Sequence, residues 1–371
     1  MKGLQVWTVA NCRSVMAFYE SLAKEFDVPL RIMCDDMGAE RFKLGWDRDE
    51  YSHLNIVQAS SDVKVRVGQL MERGDWAQWF GAYQNHPLNR RLISYAQRLG
   101  CAVGVGSEAP SNGIRPSFRR LVKGTALYKM SLNRRCRDVV NASSFIVNYS
   151  GDATESLRQI GWPTEKIVPF GYYPARMTGL ALRMRTELDW RNFKLLVTGQ
   201  MDWRRGQDVV VDALVILKNW GYTPSVVMTQ TGELYDSIAR KVAEARLNVE
   251  LVGFVGYEDL VKYYTECSAF VASGRVEPWG MRINDALNAG APLIVSRGMG
   301  GCKVVHDYHC GCTYNSEDAV DLAWQIKSLM DSRERYLSAV ENVAIAINEC
   351  SPKSRAKWLS NVIRNRFSAW R

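Results

Sequence analysis

The sequence predicts an α/β protein made of two Rossmann-like, doubly wound domains that face a cleft. The chain has 371 residues, and chains beyond ~250 to 300 residues tend to divide into domains. Short apolar runs with the length of strands alternate with amphipathic helix-like runs, which is typical of a parallel sheet covered by helices on both faces. Apolar residues make up 47% of the composition, which is enough to fill two buried cores.

The first half of the chain keeps this rhythm up to the first domain boundary, which we place so that this domain covers residues 1–171. Its strand-like runs are LQVWTVA (4–10), PLRIMC (29–34), LNIVQAS (54–60), WAQWFGAY (76–83), CAVGVGS (101–107), SSFIVNYS (143–150) and KIVPFGYYP (166–174). Helix-like runs separate several of these strands, at residues 13–25, 64–72, 88–99 and 112–137.

The second half begins a new series of strands and helices, and the second domain is expected at residues 172–350. Its strand-like runs are FKLLVTG (193–199), SVVMTQ (225–230), NVELVG (248–253), SAFVAS (268–273) and APLIVS (291–296). Helices are expected at residues 206–220, 233–245, 257–266 and 316–348, and within EPWGMRINDAL (277–287). The remaining segment, 351–371, is predicted to be a separate carboxyl-terminal helix.

The charge and the cysteines narrow the class of protein. The net charge of +9 favours anionic partners, which include nucleotide phosphates, an anionic lipid surface and nucleic acid. Residues 112–137 carry eight Lys or Arg and no acid, so this basic helix either is a solvated face or holds an anionic membrane surface. No apolar run approaches the ~18 to 20 residues of a membrane span. The amino terminus does not read as a secretory signal, and nine cysteines fit reduced thiols, so we expect a cytoplasmic protein.

One turn able to hold a diphosphate follows the first strand of the second domain, in VTGQMDWRRGQDVVVDAL (197–214). Gly199 ends the strand and Gly206 opens an amphipathic helix. Arg204 and Arg205 supply positive charge, and the turn supplies backbone donors. Taken alone, the same stretch also fits an ordinary strand–helix turn with surface arginines.

A second turn follows SAFVAS, in EPWGMRINDAL. Gly280 allows a close approach of the backbone to a ligand, and the amides of Met281 and Arg282 lie at a helix amino terminus, which favours negative charge. Glu277 could accept hydrogen bonds from a sugar, and Asp285 from a ribose. Because the carboxyl ends of parallel strands meet at one edge of a sheet, we expect the two turns to be neighbours.

These two turns resemble a known family. Gly-x5-Arg-Gly after the first strand, and Glu-x7-Asp around a Pro-x-Gly turn, resemble the retaining GT-B glycosyltransferases of the family-4 (group 1) type. The resemblance covers most of the carboxyl-terminal half, including FVGYEDLVKYYTECSAFVAS (254–273) and the Gly300-Gly301 pair. In the first half, KIVPFGYYP is similar to the family's approach to the hinge, and the first sixty residues match in rhythm only.

The resemblance implies a hexosyltransferase that moves a sugar from a UDP- or GDP-sugar, with retention and without a metal. The acceptor, bound by the amino-terminal domain, is expected to be a glycan that is lipid-linked or a growing cell-surface polysaccharide. The helix at 351–371 is expected to cross back to the first domain, as in the family. The basic helix is consistent with work at the inner face of a membrane, and no nucleic-acid partner is expected.

The resemblance also assigns roles to residues of the donor site. Arg205 falls on the family's Lys that holds the donor diphosphate, Glu277 on the acid that holds the transferred sugar, and Asp285 on the acid that binds ribose. Gln200 stands where the family usually has a second cation, and we expect Arg204 to compensate.

The first domain departs further from the family. The family's glycine pair after the first strand is replaced by ANC (10–12), and its sugar-contacting His has no counterpart in SEAP (107–110). Glu108 is therefore our candidate on the acceptor side.

Other interpretations remain open from the sequence alone. A non-hydrolysing nucleotide-sugar epimerase has a related two-domain shape, and a basic nucleic-acid-binding protein could keep a Rossmann-like scaffold. DRD (47–49) mimics a divalent-cation motif of another glycosyltransferase fold, but it lies in a polar turn. The Cys and His residues between 302 and 312 cluster in sequence, yet their spacing fits no common zinc site. GVG (104–106) lacks the rest of a dinucleotide fingerprint.

Overall fold

The computed structural model describes residues 1–10, 13–36, 51–81, 86–109 and 136–371. The chain divides into two compact units. The first extends from the amino terminus through Ala175 and also includes Cys350–Arg371, and the second comprises Arg176–Glu349. The DRD motif and residues 112–135 of the basic stretch lie outside the described residues.

The described part of the first unit contains a seven-stranded parallel sheet in the order β3-β2-β1-β4-β5-β6-β7. Three of its strands are buried at every residue, as expected for a parallel sheet covered on both faces. The strands are β1 (Leu4–Ala10), β2 (Leu30–Asp36), β3 (Ile56–Gln58), β4 (Ala77–Gly81), β5 (Val103–Ser107), β6 (Phe145–Asn148) and β7 (Ile167–Pro169). Its helices include α1 (Arg13–Phe26), α2 (Val63–Met71), α3 (Pro87–Arg98) and α4 (Thr154–Arg158).

The second unit contains a six-stranded parallel sheet in the order β10-β9-β8-β11-β12-β13. The strands are β8 (Lys194–Val197), β9 (Ser225–Thr229), β10 (Val249–Gly253), β11 (Ala269–Ala272), β12 (Leu293–Ser296) and β13 (Gly311–Tyr314). The helices are α5 (Glu187–Arg191), α6 (Gln207–Asn219), α7 (Tyr235–Glu244), α8 (Leu260–Glu266), α9 (Met281–Asn288), α10 (Cys302–Tyr308), α11 (Ala319–Asp331) and α12 (Arg333–Glu349). The predicted fold class, two Rossmann-like doubly wound α/β domains, is thereby confirmed.

The chain end belongs to the first unit. Helix α13 (Pro352–Arg366) packs against α1, and the guanidinium of Arg364 donates to the Glu25 carbonyl at 2.8 Å. Trp370 follows in a short 3-10 turn and is fully buried, with its ring centroid 4.9 Å from that of Phe145 and 6.1 Å from that of Trp79. The last residues therefore complete the core of the first unit.

The prediction of one helix over residues 316–348 is wrong. The chain leaves the helical conformation at Ser332, which has φ −117° and ψ 102°, and α12 begins at the next residue. The Ser332 hydroxyl accepts a hydrogen bond from the Arg335 amide at 3.1 Å, so a polar side chain caps the new helix. The short strand β13 and helix α10 also had no counterpart among the predicted elements.

The position of β8 and β11 determines where the candidate site lies. These strands pair in parallel at the centre of the sheet, where the strand order reverses direction. Apolar side chains of both strands and of α6 form one buried core beneath them, including Leu195, Val197, Val210, Leu214 and Val271. The loops after β8 and β11 therefore open at a topological switch point, which is where open α/β sheets bind ligands.

Candidate functional site

The loop after β8 is held in one shape by its own polar groups. The Asp202 carboxylate accepts a hydrogen bond from the Arg205 amide at 2.9 Å and so caps the short turn Trp203–Arg205. The side-chain amide of Gln207 donates to the Gly199 carbonyl at 2.8 Å. These bonds fix the path of the backbone that carries Arg205.

Two glycines allow this loop to lie against the neighbouring one. Gly199 and Gly206 have φ values of 108° and 67°, a region that other residues rarely adopt. A Cβ on Gly206 would overlap the carbonyl of Ser273, and one on Gly199 would overlap the guanidinium of Arg282. The hydroxyl of Ser273 also donates to the Arg205 carbonyl at 2.8 Å, so the two loops are joined.

The loop after β11 leads Glu277 beside the end of β12. The Glu277 amide donates to the Gly298 carbonyl at 3.0 Å, and the chain then turns through Gly280, whose φ is 96°, into α9. Trp279 is buried there, and its indole nitrogen donates to the Asn284 side chain at 2.8 Å. The aromatic ring therefore anchors the turn, while Glu277 and Gly280 lie on either side of it in sequence.

The carboxylate of Glu277 is shared by two arginines from different loops. Its Oε1 pairs with the guanidinium of Arg205, and its Oε2 pairs with that of Arg282 at 3.2 Å. The three side chains are largely buried, with 12% of Glu277, 21% of Arg205 and 18% of Arg282 exposed. Two cations and one anion leave this cluster with a net positive charge.

The arginines determine the charge of Glu277. Burial alone raises the pKa of its carboxyl group, but the charges of Arg282 and Arg205, and less strongly Arg204, outweigh it and hold the pKa below its ordinary value. Glu277 is therefore an acceptor of hydrogen bonds at neutral pH and not an acid. A buried donor in the same cluster, Nε of Arg205, has no hydrogen-bond partner among the described residues. An unsatisfied buried donor costs ~1 to 3 kcal/mol, so the cluster has capacity for an anionic ligand.

Gly280 lies beside this carboxylate, since a Cβ there would be 3.7 Å from Oε2 of Glu277. Met281 and Arg282 begin α9, where the first amides have no partner within the helix. Asp285 lies farther along α9 and is 5% exposed.

The structure thus brings Gly199, Arg205, Glu277, Gly280 and Arg282 together. Gln200 and Arg204 are exposed on the same loop as Arg205.

Arg275 is a residue of the site that the sequence interpretation missed. Its guanidinium forms two bonds of 2.8 Å with the carboxylate of Asp208, donates to the Trp203 carbonyl at 2.6 Å and pairs with Glu317 at 2.8 Å. Its amide donates to the Arg204 carbonyl at 2.9 Å. The available signal was a charged residue within an apolar strand exit, two positions before Glu277. Arg275 joins the loops that carry Arg205 and Glu277.

Glu108 lies in the first unit, directly after β5. It is exposed, and the hydroxyl of Tyr172 donates to its carboxylate at 3.1 Å. Tyr172 in turn stacks on the ring of Tyr149 at 4.8 Å between centroids. The carboxylate is thus oriented by an aromatic pair of its own unit.

Neither a metal cluster nor a membrane-spanning helix occurs in the part of the chain that the structure describes. No group of three or more His, Cys, Asp or Glu side chains is placed to hold a metal ion there. In the stretch from 302 to 312, Cys310 and Cys312 are buried whereas His306 and His309 are exposed. Within the same described ranges, every helix is too short or too polar to cross a bilayer.

Comparison with known families decides the class of the second unit. Residues 182–344 match the model of the family described as glycosyl transferases group 1. The second unit is a group 1 glycosyltransferase domain. The resemblance of the two turns to the group 1 glycosyltransferases is thereby confirmed for this unit.

Two curated relatives match part of the chain. The uncharacterized glycosyltransferase MJ1178 of Methanocaldococcus jannaschii is 26% identical over 152 residues, which cover 41% of this chain and 42% of that protein. An uncharacterized 41.2 kDa protein in the cps region of Klebsiella pneumoniae is 23% identical over 146 residues, covering 39% of this chain and 38% of that protein. The matches span about two fifths of the length of these curated relatives.

Solved structures resemble the whole chain. Anabaena HepE in complex with UDP has a TM-score of 0.71 at 14% identity, with 98% of this chain and 100% of HepE covered. The lipopolysaccharide outer core galactosyltransferase WaaB has a TM-score of 0.66 at 12% identity, with 98% and 100% covered. A glycosyltransferase from Rickettsia africae gives the same TM-score and identity, with 98% of each chain covered. The group 1 domain and the first unit together therefore have the GT-B fold.

Proposed function

We propose that the protein is a glycosyltransferase that transfers a hexose from a nucleoside-diphosphate sugar to a glycan acceptor, with retention at the sugar. The observation that carries the proposal is the buried cluster of Glu277, Arg205 and Arg282 at the switch point of a group 1 domain. A net positive cluster beside a helix amino terminus is complementary to a diphosphate, and the ionised acid within it is complementary to sugar hydroxyl groups.

The donor site follows from these groups. Arg205, aided by Arg204, binds the diphosphate together with the loop of Gly199 and Gln200. The backbone beside Gly280, with the amides of Met281 and Arg282, adds fixed donors. As the sugar departs, negative charge builds on the phosphate oxygens, and preorganised cations and amides stabilise that charge.

Two acids bind the uncharged parts of the donor. Glu277 orients the transferred sugar and does not attack it, because its two oxygens are engaged by arginines. Asp285 accepts hydrogen bonds from the ribose. None of these proposed roles requires a metal ion.

The donor we propose is a UDP- or GDP-sugar, with UDP the first choice. Structures of HepE with UDP and with UDP-glucose support this choice, since HepE shares the fold over 98% of this chain. A thermal-shift panel of nucleoside diphosphates tests the choice of nucleotide, because a ligand at 100 times its dissociation constant adds ~2.7 kcal/mol of stability.

The acceptor we propose is a lipid-linked glycan or a growing cell-surface polysaccharide, bound on the Glu108 side. WaaB is a lipopolysaccharide outer core galactosyltransferase, and the Klebsiella relative is a protein in a cps region, which supports this class of acceptor. The basic residues of 112–137 would then hold the cytoplasmic protein at the inner membrane face. Flotation with anionic and neutral vesicles tests this membrane attachment, and failure to bind either kind of vesicle contradicts it.

Glu277→Gln tests the proposed reaction. Losing the charge that orients the sugar should lower turnover of the nucleotide sugar by on the order of 100-fold, whereas affinity for the nucleoside diphosphate should not fall, because both cations that bind it remain. Glu250→Gln, at an exposed position of the same unit, is the matched control. Unchanged turnover in Glu277→Gln would contradict the proposal, as would conversion of the donor to an isomeric nucleotide sugar without an acceptor.

A further inference from the structure

The proposed diphosphate site lacks one of the two cations that the family resemblance implies on the loop after β8. Gln200 stands at the second position and cannot supply charge. Arg204 is exposed, and it influences the carboxylate of Glu277 less than Arg205 and Arg282 do. The loop itself therefore provides one well-buried cation, Arg205.

The guanidinium of Arg282 lies against the start of this loop. It donates through Nη1 to the Thr198 carbonyl and through Nη2 to Glu277 at 3.2 Å. Gly199 has no side chain at the point of contact, and a Cβ there would overlap Nη1 of Arg282. The charge of Arg282 is thus placed one residue from the position where the cation is missing, although it comes from a different strand–helix unit.

This placement is costly for folding alone. Arg282 is the second residue of α9, and a cation in the first turn of a helix interacts unfavourably with the helix dipole, by ~0.3 to 1 kcal/mol. It also shares its single carboxylate with Arg205, and a buried charge without full compensation is destabilising. An incoming anion would relieve both costs.

The buried Nε of Arg205 is an independent indication of such an anion, because it has no partner among the described residues. A diphosphate oxygen is the acceptor that the proposed function places there.

We propose that the side chain of Arg282 is the second diphosphate-binding cation of this protein and replaces the charge absent at Gln200. This inference rests on the proposed function of the group 1 domain. It assigns to the side chain a role beyond that of the Arg282 amide, and it makes Arg204 secondary.

The test compares binding of UDP with uridine, and of GDP with guanosine, to the full chain by calorimetry. The ratio of diphosphate to nucleoside affinity isolates the contribution of the phosphates. Arg282→Met should lower this ratio on the order of 10- to 100-fold and leave nucleoside affinity unchanged. Arg297→Met, at an exposed position of the same unit, should leave the ratio unchanged.

A second substitution distinguishes the effect of the Arg282 charge from its structural role. Adding Gln200→Arg to Arg282→Met should restore most of the ratio, because it returns a cation to the exposed loop position. Arg282→Gln keeps a donor for the Thr198 carbonyl without the charge, so it decides the question if Arg282→Met does not fold.

Either of two results for the Arg282 variants overturns the inference: an unchanged ratio in Arg282→Met or Arg282→Gln, or a lowered ratio that Gln200→Arg fails to restore. A larger loss of the ratio in Arg204→Met than in Arg282→Met would assign the second cation to Arg204 and overturn the inference as well. If the wild type binds neither diphosphate more tightly than its nucleoside, the proposed function itself fails. If the wild type binds a diphosphate more tightly than its nucleoside and the Arg282 variants keep the same ratio, only this inference fails.

Discussion

At the scale of single residues, burial and the neighbouring arginines determine the charge of Glu277. Burial would favour the neutral acid, but two guanidinium groups within the same cluster hold the carboxylate ionised. The same contacts bring Arg205 and Arg282 close to each other, so the pair is stable only around an anion. Glu277 provides that anion when no donor is bound.

The pH dependence of stability follows from this arrangement. The folded-state pKa of Glu277 lies below its ordinary value, so ionised Glu277 contributes stability above the unfolded pKa of ~4.3, and this contribution is lost as the pH falls through the folded pKa. The difference in free energy of unfolding between wild type and Glu277→Gln should therefore narrow as the pH is lowered from 7 to below 4. Urea unfolding at a series of pH values measures it, and a difference that stays constant with pH would exclude this linkage.

At the scale of elements, the site is a contact between two strand–turn–helix units that are distant in sequence. Arg275 links the turn after β11 to Asp208 at the start of α6, and the Ser273 hydroxyl links the same turn to Arg205. Gly206 permits this contact because its missing side chain leaves room for the Ser273 carbonyl.

Substitutions at two glycines distinguish the energetic cost of a left-handed backbone from the cost of this close contact between the loops. Gly206 and Gly221 have φ values of 67° and 88°, but a Cβ on Gly221 meets nothing within 4 Å. Gly221→Ala should therefore cost the ~1 kcal/mol typical of a left-handed backbone. Gly206→Ala should cost at least ~1 kcal/mol more than Gly221→Ala, because the loops must separate to make room for the Cβ. It should also weaken diphosphate binding. Urea unfolding of both variants measures the difference, and equal costs would show that the contact with Ser273 is not limiting.

At the scale of the whole molecule, the end of the chain completes the first unit, whereas the proposed donor site belongs to the second. Trp370 is buried among Trp79, Phe145 and Phe26, so residues far apart in sequence share one aromatic cluster. Damage to this cluster should act on the first unit.

Trp370→Ala makes this division measurable. Removing a fully buried tryptophan should cost ~3 to 5 kcal/mol of stability, and limited proteolysis should locate the loss in the first unit, while nucleoside diphosphate affinity persists. Trp324→Ala is the control, because this side chain of the second unit is 54% exposed. Loss of diphosphate binding in Trp370→Ala at a temperature where the second unit stays folded would contradict the assignment.

Much of the fold could be predicted from the apolar runs, because parallel strands buried on both faces are continuous apolar segments such as AFVA (269–272). Short elements were harder. The strand GCTY (311–314) has alternating burial and only four residues, and the helix break at Ser332 is a single non-helical residue whose hydroxyl accepts a hydrogen bond from the Arg335 amide. Neither produces a periodicity long enough to detect.

The sequence by itself determined the two-domain α/β class, the two glycine-bearing turns, and the acids and arginines on them, because local backbone freedom and strand composition act over a few residues. Only the tertiary structure decided which of these groups meet. Arg282 reaches the Thr198 carbonyl across 84 residues of chain, and Arg275 reaches Asp208 across 67. The direction of a side chain and the charge of its neighbours depend on how strands pair in the sheet, and that pairing is a property of the whole second unit.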